Sequence, residues 1–126
     1  GKDLRDVTFA NYFPTSFGHN FSISPSTTLE QFEHIEATAI GYNTTYSLNL
    51  KPQEVEMCPD KYAIFNAIHT WEEARRADAF PTHIKKLLQN PELSWRLEKN
   101  KDGSGWTIYQ MENGQKGRSY LLTSKK

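Results

Sequence analysis

Cysteine is almost absent from this chain. Cys58 is the only one in 126 residues, which excludes an internal disulfide and a cysteine-based zinc site. Histidine is also sparse. His19, His34, His69 and His83 contain no His-x-x-x-His pair, so neither a metal nor another cofactor is expected. No apolar run approaches the roughly 20 residues of a membrane span, so no membrane partner is expected. A signal-peptide apolar core and an initiator methionine are both lacking. The chain therefore reads as cytoplasmic, with a processed and secreted product as the alternative. Internal repeats and low-complexity tracts are lacking too. So is net charge: 15 Lys and Arg balance 15 Asp and Glu.

That balance hides a sorting by position. Residues 1–82 carry six basic and eleven acidic side chains, a net of −5. Residues 83–126 carry nine basic and four acidic, a net of +5. Such asymmetry points to a face that meets an anionic partner, and it says nothing of the fold.

The length fits one domain, 1–126, able to bury a core without disulfides or metals. Aromatics at 13%, with Trp71, Trp95 and Trp106 among them, supply material for that core. Three regions follow in order. Residues 1–27 form an aromatic N-terminal arm (Phe9, Tyr12, Phe13, Phe17, Phe21), with a short strand around Phe21–Ile23. Residues 28–91 are mainly helical and acidic. Residues 92–126 form a basic β-meander.

The first helix is predicted to start at a capping box of Thr27 and Glu30 and to stop near Gly41. Leu29, Phe32, Ile35 and Ala39 give its apolar face, with Glu30, Glu33 and Glu36 opposite. Tyr46, Leu48 and Leu50 alternate with polar residues, as in a half-buried strand, and Gln53–Pro59 reads as a loop. Pro59 and Asp60 open a second helix, with Ile64, Ile68, Trp71 and Ala74 as its stripe and Pro81 as its stop. Thr82–Gln89 is a short third helix. Trp95–Leu97, Trp106–Met111 and Arg118–Thr123 read as strands, with turns at Asp102–Gly105 and Glu112–Gly117.

The predicted fold class is α+β: about three helices packed on an antiparallel sheet that ends in a three-stranded meander. The Tyr46–Leu50 strand is expected to join that sheet. The core is expected to hold Phe32, Ile35, Leu48, Ile64, Ile68, Trp71, Leu87, Leu88, Trp95, Leu97, Ile108 and Leu122. Two short helices before a basic hairpin resemble a winged helix in their order. That resemblance implies a helix in a groove and a wing on phosphate.

Three functions fit these features. The first is a non-enzymatic binding or regulatory protein whose basic meander contacts nucleic acid. Lys85, Lys86, Arg96, Lys99, Lys101, Lys116 and Arg118 would meet phosphate, and Trp106, Tyr109 and Tyr120 would stack on bases. The second is a small ribonuclease or toxin-type domain using His69, His83 and Lys85, since histidine serves as a general base near neutral pH. The third is an inhibitor or adaptor that offers Glu30, Glu33, Glu36, Glu72 and Glu73 to a protein partner. Cys58, just before a helix, has the placement of an activated thiol, but a cysteine hydrolase needs a partner histidine as well.

Overall fold

A computed structural model describes residues 20–44 and 47–125. The aromatics of the arm before Asn20 lie outside these residues. The elements run β1 (Asn20–Ser22), α1 (Leu29–Gly41), β2 (Ser47–Asn49), α2 (Pro52–Glu56), α3 (Lys61–Arg76), α4 (Thr82–Leu88), β3 (Ser94–Lys99), β4 (Trp106–Glu112) and β5 (Gln115–Leu122). Among the described residues, four helices, a three-stranded antiparallel sheet and a two-stranded pair make a small α+β fold, the class that the sequence pattern predicts.

The start of α1 differs by one residue from the expected one. Thr28 is the N-cap, and it forms a capping box with Gln31 rather than Glu30. Thr27 is unavailable because its hydroxyl already closes the preceding turn, accepting from Ser24 N at 2.8 Å. Leu29 N, in the first helical turn, donates to Asp60 Oδ2 at 2.9 Å. The acid expected to serve its own helix thus caps a neighbouring one.

Helices α1 and α3 end alike. Asn43 and Asp78 adopt φ of 54°. Thr44 N reaches Ala39 O at 2.9 Å, and Ala79 N reaches Ala74 O at 3.1 Å. Both are Schellman closures, made with asparagine and aspartate in place of the usual glycine. The second stops α3 at Arg76, well before Pro81, and returns Ala79 and Phe80 to the core. Gly41 does not stop α1 by conformation; it permits close packing. A Cβ there would sit 2.9 Å from the Lys85 carbonyl oxygen of α4.

Two further expectations are corrected. Residues 52–56 form a short helix where a loop was expected, because Pro52 fits the first helical position. Strand β2 pairs parallel with β1, not with the meander. A parallel pair requires a crossover of about a dozen residues, and the 13-residue α1 between the strands provides it.

In the meander, Leu97 faces Ile108, and Ile108 faces Tyr120. The second hairpin is tighter than predicted, with β5 starting at Gln115. Asn113 and Gly114 both take positive φ, which a two-residue primed turn requires. Gly105, at φ 131°, closes the first hairpin, where a Cβ would collide with the Leu122 carbonyl oxygen.

Phe32, Ile64, Trp71, Leu88, Trp95, Leu97, Ile108 and Leu122 are buried as expected, while Ile35, Ile68 and Leu87 pack at the margin. The Leu48 side chain lies outside the described set. Trp71 stacks on Phe80 with ring centroids 5.9 Å apart.

Candidate anion-binding surface

The described cations of the last third do not share one surface. Arg96 turns inward, its Nε 3.3 Å from Glu33 Oε1. Lys116 pairs with Glu98 at 2.8 Å and covers the Tyr109 ring at 4.6 Å. Lys85 donates to Asn43 Oδ1 at 2.7 Å, on the α1–α4 side of the molecule. Lys86 and Arg118 are exposed. Lys126 lies outside the described residues.

A different set does converge, at the end of the sheet that carries the β3–β4 turn. Lys99, the last residue of β3, reaches across to α3 and places Nζ 2.8 Å from Glu73 Oε1. Arg76, in the last turn of α3, bears on the same carboxylate and favours the negative end of the helix dipole. Lys125 follows β5, where its backbone N–H donates to Ala77 O at 2.9 Å, next to Arg76. Lys101 stands exposed in the turn two residues after Lys99. Lys99 lines a shallow pocket of ≈ 220 Å³ with Glu73, Ala77, Gly103, Ser104 and Ser124 among others, and Arg76, Lys101 and Lys125 lie within two residues of these lining residues along the chain.

Two carboxylates share this end of the molecule. The Lys99 hydrogen bond holds the Glu73 carboxyl below the usual range, helped by the charges of Lys99, His69 and Arg76. Asp102 is likewise held low, by its hydrogen bonds from Ser104, including the amide at 2.9 Å. Both acids stay ionised near neutrality.

The stacking residues fare less well. Trp106 is buried at 5% exposure, so it offers no open ring. Its place opposite Leu122 on the core face of the sheet explains this. Tyr120 leans on Trp95 with centroids 6.4 Å apart, and Tyr109 lies under Lys116.

The acidic helix face expected on α1 does not exist as a surface. Glu33 and Glu36 are each only 2% exposed, and Glu30 alone of the three is open. Glu33 instead joins three elements. Its Oε2 accepts from Trp71 Nε1 at 3.0 Å and from Leu97 N at 3.1 Å, and Oε1 meets Arg96. Burial pushes its carboxyl above the ordinary value, against the opposing pull of these three donors. No local pattern signals this, because the donors lie 38 to 64 residues away. Glu72 is bound to Arg75 in a close bidentate pair and Glu73 to Lys99, so neither stands free for a partner.

His69, His83 and Lys85 are not gathered into one cleft. Lys85 lines a cavity with Asn43, Thr44, Arg75 and Asp78, and neither histidine lines it. His69 sits exposed on α3 beside Glu73, and His83 is exposed on α4. Cys58 is buried, and its thiol donates to Thr27 O at 3.3 Å. No cluster of metal-ligating side chains occurs among the described residues. None of their helices is long and apolar enough to cross a membrane.

Fold and site together define a small α+β fold whose β3–β4 hairpin end carries Lys99 and Lys101 near the end of α3. Compared with protein-family models, curated proteins and solved structures, the chain matches none.

Proposed function

We propose that this chain is a non-enzymatic binding protein that contacts the phosphates of a nucleic acid through the β3–β4 hairpin end. The observation that supports the reading is that three separate chain segments bring Arg76, Lys99, Lys101 and Lys125 to the same end of the molecule. Cations held at a rigid hairpin and a helix end can meet successive phosphates. The Asp102–Ser104 hydrogen bond and the Asn100–Gly105 backbone bond fix the turn that carries Lys101. With Trp106 buried, contact with the backbone rather than stacking on bases is the main mode, and sequence preference is weak.

Fluorescence anisotropy with a labelled oligothymidylate and a labelled DNA duplex at low salt tests the reading. Lys101→Glu combined with Lys125→Glu should weaken binding of at least one probe by roughly tenfold or more, as two phosphate contacts turn repulsive. Negligible binding of both probes at low salt, or binding untouched by the double reversal, defeats the proposal.

A further inference from the structure

Glu73 is shared. Its Oε1 binds Lys99 at 2.8 Å, and its Oε2 lies 3.6 Å from His69 Nε2, one helical turn back on α3. Arg76 bears on the same group. His69 is open to solvent, with 71% of its side chain exposed, and Lys99 is half exposed. Glu73 is the more enclosed partner, at 31%.

This arrangement couples the charge of the anion surface to an imidazole, the side-chain type that generally serves as a proton switch. With neutral imidazole, Glu73 offsets one of the two cations beside it, Lys99 and Arg76. A protonated imidazole adds a charge at the same place and competes for the same carboxylate. Lys99 then has a weaker claim on Glu73 and more freedom to turn outward. Three cations face one carboxylate in place of two. The other charged groups around His69 do not reverse this. Glu72, on the same helix, is held by Arg75, with Nη2 2.6 Å from Oε1. Lys99, on β3, is the charged group facing Glu73 from the sheet.

We infer that His69 is an additional, proton-gated member of the anion-binding surface, strengthening phosphate contact in acid both directly and by drawing Glu73 away from Lys99. The inference rests on the proposed function above and adds a regulatory residue to the same site.

Oligothymidylate affinity measured between pH 8 and pH 5.5 at constant ionic strength tests it, because thymidine itself does not titrate there. Affinity should rise roughly three- to tenfold between pH 8 and pH 5.5, about one extra charge-assisted contact. His69→Gln should abolish the rise, and His83→Gln should keep it. Glu73→Gln should bind more tightly than wild type at pH 8, because Lys99 is released at every pH. Wild-type affinity that stays level, or a rise that survives in His69→Gln, overturns the role of His69 while binding itself remains. No binding at any pH overturns the underlying reading instead.

Discussion

Glu33 ties α1 to α3 and β3. It closes the β3 edge by accepting the Leu97 N–H, holds the Trp71 indole and meets Arg96. Glu33→Ala would leave buried donors unpaired, and a loss of about 3–5 kcal/mol in chemical denaturation is expected. Its titration gives a second test. The folded-state pKa is raised above the ordinary carboxylate value of 4.5, so between 4.5 and the raised value the folded protein binds more protons than the unfolded chain. Stability from this group therefore falls as pH rises through that window. Glu73 and Asp102 act oppositely, since their lowered values favour folding at neutral pH and that contribution is lost as pH falls. The difference between wild type and Glu33→Gln isolates the first effect. It should shift against wild type as pH climbs from 4.5, and a difference that holds level or grows in favour of wild type contradicts this account.

At the scale of elements, packing depends on positions where backbone meets backbone. Helix α4 crosses the end of α1 at Gly41, and Gln89 Nε2 donates to Gly41 O at 2.9 Å. Gly41→Ala should cost about 1–3 kcal/mol, because the facing atoms belong to the backbone and cannot swing aside. A substitution neutral in thermal unfolding would show that α4 shifts freely. Helices α1, α3 and α4 and both hairpins were legible from periodicity and from Asn113-Gly114 and Asp102-Gly103, whose chemistry is local, whereas the five-residue α2 was too short to show a period. The partner of β2 was not legible. Alternation identifies a half-buried strand without identifying its neighbour, and only the intervening α1 reveals a parallel crossover. The acids of α1 were misplaced for a related reason. Helical spacing put Glu33 and Glu36 opposite the apolar stripe, but α1 is covered by α3, α4 and β3, so that side is buried as well.

Across the whole molecule, the sorted charge of the sequence divides when folded. Arg96 and Lys116 are consumed in bridges to Glu33 and Glu98. Lys99, Lys101 and Lys125 gather at the hairpin end with Arg76, which belongs to the acidic part of the sequence. Sequence position thus marked some of the cations of the surface and missed Arg76, whose signal was its place in the last turn of α3. On the proposed function, this end of the molecule, and no other cation group, meets phosphate. The most direct test is the dependence of oligothymidylate affinity on salt concentration. Alanine at Arg76, Lys101 and Lys125 together should flatten the log–log slope by about 2, from roughly 0.7 per lost contact, while alanine at Lys116 and Arg118 should leave it near the wild-type value. An unchanged slope in the triple variant, or an equal loss in the double one, would contradict the account.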